Sequence, residues 1–169
     1  MCLSGRELEL MDDVEWLPEL VLFNDYGGNW ERYLTAIYQY FCVDFVDNKP
    51  RFQGVRLGLK RHPVIHGKEA TFWHIISEGD KEAERIPDFR RCERIRWVKP
   101  IIEKGGEPVK IWREIRNGET RIHLWLEAAS YLVVLNERNG YILPWTAYLV
   151  EREHEKAKLN KRWGKHKGL

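Results

Sequence analysis

Two Asn-Gly pairs, Asn117-Gly118 and Asn139-Gly140, constrain this 169-residue chain more than any other feature. Each lies between runs rich in β-branched and aromatic residues. A two-residue hairpin turn needs positive φ at its central positions, which Gly adopts freely and Asn tolerates. Ala128-Ala129-Ser130 separates the two hairpins as a short connector. The stretch from about 109 to 148 is therefore expected to be a four-stranded antiparallel meander.

Side chains alternate across a strand, so the faces of the meander can be sorted. Ile122, Leu124 and Leu126 point one way, toward a helical layer. Arg121, His123 and Trp125 point the other way, onto a face that is either a binding concavity or the wet side of a one-sided sheet. In the last strand the same period puts Ile142, Pro144, Thr146 and Tyr148 on one side, and Tyr141, Leu143, Trp145 and Ala147 on the other.

Ahead of the meander, residues 1–27 form an acidic lead with apolar punctuation at Leu8, Leu10, Val14, Trp16, Leu17 and Leu20, part of it expected as a short helix ending near Pro18. Asn29 is the expected N-cap of a helix over Trp30 to about Val43, where Tyr33, Ile37, Tyr40 and Phe41 recur at three- and four-residue intervals. Phe52–Lys60 is expected as a short strand weakened by Gly54 and Gly58. The segment bracketed by Gly67 and Gly79 is expected as a short helix burying Phe72, Ile75 and Ile76, with Thr71, His74 and Glu78 along a neighbouring face. Residues 80–107 read as turn-rich, and a charged helix is expected from Glu151 to about Trp163, ahead of a basic tail at 164–169 that frays. The whole reads as one α+β domain over 28–163, with N-terminal helices on the meander and a basic C-terminal helix.

Charge is distributed unevenly. Residues 1–25 carry one base, Arg6, against seven acids, while the net charge of the chain is +2. The bases concentrate between Arg85 and Lys99 and between Arg152 and Lys167, a pattern that suits an anionic partner or simply a solvated face. Cys2, Cys42 and Cys92 are few, distant and odd in number, which argues for a reducing compartment. With no signal-peptide pattern and no apolar run of membrane-spanning length, a cytoplasmic location without membrane contact is expected.

No HExxH, CxxC, GxxxxGK[ST], GxGxxG or GxSxG pattern occurs, so metal, nucleotide-triphosphate and α/β-hydrolase chemistry are disfavoured and no cofactor is expected. Metal-independent acid–base work on a phosphodiester remains. It needs a base for a ribose 2′-hydroxyl, cations for the developing phosphorane charge, and an acid for the leaving oxygen. His74 is the candidate base; Lys68, Arg91 and Arg121 are candidates for phosphate, with Thr146 and Tyr148 as hydrogen-bonding partners.

N-terminal helices before a four-stranded antiparallel meander, the histidine-bearing KEATFWHIISEG, and Thr146-Ala147-Tyr148 on the last strand together resemble the barnase–EndoU–colicin–RelE-like superfamily of metal-independent ribonucleases, in particular its phage-associated families. The resemblance covers roughly residues 60–157. It implies a small RNase-like fold carried on a prophage or acting as a toxin. It places His74, Arg91, Thr146 and Tyr148 near the active cleft. RNA is then the expected partner, with a protein inhibitor as a second. Lys68, Arg90, Arg94, Arg121, His123 and Trp125 are the candidate substrate contacts. No glutamate here matches the base of barnase-type enzymes. Two other classes stay open: a non-catalytic nucleic-acid-binding module of the same fold, and a protein-interaction module marked by exposed Trp97, Trp112 and Trp125.

Overall fold

The Asn29 side chain accepts a hydrogen bond from the Arg32 amide at 3.0 Å and starts α1 (Trp30–Phe41). Tyr33, Leu34, Ile37 and Phe41 form its buried face, and the helix widens into a π-turn over Cys42–Asp47. In this computed structural model residues 4–6 and 13–168 are described, so Leu8 and Leu10 of the acidic lead lie outside it. So does part of the helix expected ahead of Pro18; residues 13–17 form a turn. The end of the lead is tied into the body. Tyr33 donates its hydroxyl to the Val21 carbonyl at 2.8 Å, and Trp97 donates Nε1 to the Pro18 carbonyl at 2.7 Å.

The expected strand over Phe52–Lys60 is instead a minimal hairpin, β1 (Arg51–Phe52) with β2 (Val55–Arg56), because Gln53 and Gly54 both take positive φ and turn the chain back. The short helix is present as α2 (Ala70–Ile76), burying Phe72, Ile75 and Ile76. It stops two residues before Glu78, which lies in β3 (Ser77–Glu78), paired with β4 (Ile86–Pro87). The stretch read as turn-rich holds two helices, α3 (Phe89–Glu93) and α4 (Val98–Lys104). Asp88 caps the first by accepting from the Arg91 amide at 3.1 Å, and Pro100 sits in the first turn of the second, where no amide donor is required. Cys92, Ile95, Val98, Ile101 and Ile102 face inward between the arginines.

The fold is α+β, with the meander as its sheet: β5 (Lys110–Arg116), β6 (Glu119–Leu126), β7 (Tyr131–Arg138) and β8 (Tyr141–Leu149), antiparallel in that order. Both Asn-Gly pairs are turns, but they differ. Asn117 has φ of 53° and Gly118 75°, whereas in the second pair only Gly140 is positive, at 85°. Ile122, Leu124 and Leu126 join Tyr131, Val133 and Leu135 on the main core beneath the helices.

The other face is not wet along its length. A smaller core of Trp112, Trp125, Leu132 and Val134 is roofed by α5 (Glu153–His166) through Leu159 and Trp163. That overturns the reading of Trp125 as a substrate contact and of Trp112 and Trp125 as exposed interface markers; they are 1% and 0% exposed, respectively. Trp97 likewise packs against the main core, edge-on to Tyr131 at 5.5 Å. The helix begins at Glu153 and runs through Gly164, Lys165 and His166, so the first half of the expected tail is helical.

Strict alternation also fails in β8. Val134 pairs with Thr146 but Leu135 pairs with Pro144, leaving Trp145 as the extra residue of a bulge. Ile142 and Ala147 therefore both face the main core, and Thr146 and Tyr148 turn to the opposite face from Ile142 and Pro144. β8 is an edge strand. The Gly58 amide donates to the Ile142 carbonyl at 2.8 Å, and α2 and α3 flank the rest of the edge.

Candidate functional site

The bulge brings Trp145 and Thr146 to the line where β8 meets α2 and α3, and two cavities share them as a wall. The inner cavity, about 420 Å³, lies between β8 and α2–α3. Its wall carries His74, Lys60, Glu82, Arg85 and Arg91. His74 is 8% exposed, at the margin of the buried face that anchors α2. Its Nε2 lies 2.6 Å from Glu82 Oε1, and its ring meets Trp145 edge-on at 5.3 Å. Burial holds the His74 pKa below the ordinary imidazole value; the Glu82 hydrogen bond works in the opposite direction, and the Arg85 charge adds to the lowering. Glu82 remains a carboxylate because the His74 and Lys60 contacts more than offset its own desolvation. Its Oε2 is buried with no hydrogen-bond partner among the described residues.

Lys60 is put in place by Thr71. The threonine Oγ1 accepts from the Lys60 amide at 2.8 Å and donates to the Lys60 carbonyl at 3.2 Å, fastening the extended segment after β2 to the start of α2. Lys60 Nζ then reaches Glu82 Oε1 at 3.2 Å. Arg85 acts largely as a strut: it donates to the Gly79 and Ser77 carbonyls, both at 2.6 Å, and to Ser77 Oγ at 3.2 Å. Gly79 takes φ of 132°, which side chains rarely adopt, and a Cβ there would press to 3.2 Å from the Arg85 Cα, so a substitution would be strained. Arg91, on the capped first turn of α3, donates to the Ser77 carbonyl at 3.0 Å, to Thr146 Oγ1 at 3.1 Å and to Glu78 at 3.3 Å. Its guanidinium lies 5.3 Å from the Tyr148 ring centroid. Its Nε is buried and unpartnered among the described residues.

The outer cavity, about 650 Å³, lies on the far side of Trp145–Thr146, between the sheet and α5. Arg116, Arg121, Arg162 and Tyr148 line it, with Glu114. Arg162 holds Glu114 through Nε at 2.7 Å and Nη2 at 2.9 Å, keeping the Glu114 carboxyl down at about 2. Arg121 stands 4.2 Å over Trp145 and pairs with Glu119 at 2.6 Å.

Of the expected catalytic residues, His74, Arg91 and Thr146 share the inner cavity, and Tyr148 joins them through Arg91. The expected substrate contacts scatter. Arg121 is in the outer cavity. His123 lines it too but is stacked on Trp112 at 4.9 Å, 7% exposed, and pushed down to about 4 by burial and then by Arg162. Arg90 pairs with Glu151 at the surface, and Arg94 lies over Trp97 at 5.0 Å; neither lines these cavities. Lys68 belongs to a third cavity, beyond Glu82 and Arg85.

Lys60, Glu82, Arg85 and Trp145 are the residues that sequence reasoning missed. Glu82 and Arg85 sit in a charged loop whose pattern says nothing of a site, and Lys60 arrives by a tertiary contact. Trp145 had a signal: Pro144 inside a strand pattern points to an edge or a bulge. Among the described residues no three His, Cys, Asp or Glu side chains group as a metal site, and no helix is long and apolar enough to cross a membrane. Comparison of the chain with protein-family models, curated proteins and solved structures finds no match.

Proposed function

We propose that this protein is a metal-independent endoribonuclease whose chemistry is centred on His74. The observation that carries the reading is a histidine–carboxylate pair facing Lys60, Arg91 and Thr146 across one cavity. With Nε2–H donated to Glu82, the imidazole lone pair is on Nδ1, and an imidazole with a lowered pKa is neutral near pH 7. His74 then takes the proton of a ribose 2′-hydroxyl as that oxygen attacks phosphorus. Arg91 and Lys60 offset the charge that builds on the phosphoryl oxygens. Tyr148, whose pKa is raised by burial, keeps its proton; it lines the outer cavity beside Arg91, and from there it is the candidate donor to the leaving 5′-oxygen. The products are a 2′,3′-cyclic phosphate and a 5′-hydroxyl.

The test is incubation of purified protein with total RNA in EDTA, beside His74→Ala. Cleavage by the wild type should survive chelation, and the variant should lose roughly 10²–10⁴-fold, the usual worth of a positioned general base. Folded wild-type protein that leaves every RNA pool intact would overturn the proposal.

One observation favours a second reading. Arg85 and Arg91 give most of their donors to backbone carbonyls and Glu78, as structural cations do. In that reading the same face is a non-catalytic nucleic-acid-binding surface. RNA affinity would then fall steeply with salt, and no product would form.

A further inference from the structure

Beyond Glu82 and Arg85 lies a cavity that the acid–base chemistry leaves unused. It has a volume of about 400 Å³ and is walled by Trp30 and Leu34 of α1, Trp73 of α2, Ile65 and Pro87. The size is that of a small-molecule site, and its lining mixes apolar side chains with Glu31, His66, Lys68, Glu82 and Arg85. Both indoles are held. Trp73 donates Nε1 to the Ile65 carbonyl at 3.0 Å, and Trp30 meets Tyr33 and Phe89 edge-on at 6.1 and 5.8 Å. Lys68 is also pinned, donating to the His66 carbonyl at 3.2 Å with its ammonium 5.2 Å over the Tyr38 ring.

Glu82 and Arg85 line this cavity as well as the inner one, so the two are neighbours across a single pair of side chains. Flat apolar walls select a flat ligand. Glu31 and Glu82 can accept hydrogen bonds, while Lys68 and Arg85 can donate them; that mixture suits the edge of a heterocycle that both donates and accepts. A phosphate alone would find two carboxylates and few free donors.

We infer that the cavity between Trp30 and Trp73 takes an unpaired nucleobase of the strand whose backbone enters the His74 cavity. The inference rests on the ribonuclease reading of that neighbouring cavity. It favours a single-stranded substrate, because extruding a base from a duplex into the pocket costs a few kcal/mol of unstacking and unpairing that an unpaired base does not incur. It also makes this pocket, rather than the cations, the source of base preference.

Isothermal titration calorimetry with the four free ribonucleosides tests this without requiring cleavage. At least one nucleoside should bind saturably, with an affinity flat in salt because no phosphate is involved. Trp30→Ala should weaken it by about tenfold or more, the worth of one stacking partner. Trp30 also packs on Phe89, so a second variant guards against lost folding: Ala83→Trp fills the cavity from the exposed turn at its rim and should abolish binding with the circular dichroism spectrum kept. Absence of any nucleoside binding by wild type, or binding unchanged in both folded variants, overturns the inference. RNA cleavage without nucleoside binding removes the pocket alone; nucleoside binding without cleavage removes the nuclease alone and leaves the pocket standing.

Discussion

His74 carries two opposing demands, and the residues around it show how they are balanced. Burial favours the neutral ring, while the Glu82 bond at 2.6 Å favours the charged one. Burial is the larger influence, so the ring is neutral at a pH where a free histidine is still partly protonated. Glu82→Gln keeps the shape and removes the charge. The upward influence on His74 disappears with it, so the acid limb of the pH–rate profile should move to lower pH while the fold is retained. A limb that stays in place or moves to higher pH would show that Glu82 does not act through His74. Arg91 works differently: its fork joins β3, Thr146 and Glu78 in one set of contacts, and lysine, with a single ammonium, cannot reproduce them.

At the scale of elements, the two Asn-Gly turns are alike in sequence and unlike in backbone. Asn117 occupies the left-handed region and Asn139 does not. Asn117→Ala should cost about 1 kcal/mol in urea unfolding, and Asn139→Ala clearly less. Equal losses would contradict the difference in turn geometry. The meander was legible because turn chemistry and a period of two are local properties. Thr146 and Tyr148 were placed together correctly, since they stand two apart beyond the bulge, yet were assigned to the side of Ile142 because the extra residue at Trp145 was not counted. α3 and α4 were hidden by their arginines and Pro100, which resemble a loop until Ile95, Val98 and Ile102 are seen to face inward. His123 and Trp125 read as an open face because nothing local reveals that α5 returns over them. Site residues carried by loops, Lys60, Glu82 and Arg85, were illegible for the same reason.

For the whole molecule, the roof formed by α5 has a consequence for stability. His123, beneath it, has its pKa pushed from 6.5 down to about 4, so the folded state prefers the neutral ring more strongly than the unfolded chain does. The corresponding stability is fully present above pH 6.5 and is lost as the pH falls through 4, a loss on the order of 3 kcal/mol over that window. His74, lowered in the same direction, adds to it. Glu114, held near 2, gives up its contribution as the pH falls from the ordinary carboxylate value of 4.5 toward 2, so the upper part of the window belongs to the histidines. Urea midpoints measured between pH 7 and 5 should fall for the wild type and fall less for His123→Gln. Parallel curves would mean that His123 is not held neutral by its surroundings.

Pro144 faces inward, Thr146 outward and Ala147 inward, an alternation that would run unbroken if Trp145 were absent. The tryptophan is thus a supernumerary letter in the strand: the sheet's reading frame is correct without it. Deleting the codon, which in any other central position of β8 would invert everything downstream, should here leave Ala147 and Leu149 on the core and cost only the contacts of one half-buried indole, about 1–2 kcal/mol in chemical denaturation. What it should remove is the partition between the His74 cavity and the arginine-lined one. A folded deletion variant with unchanged RNA cleavage would mean that the partition has no part in the chemistry. A folded variant that no longer cleaves would identify Trp145 as a residue retained for the site, at a position where the architecture has no use for it.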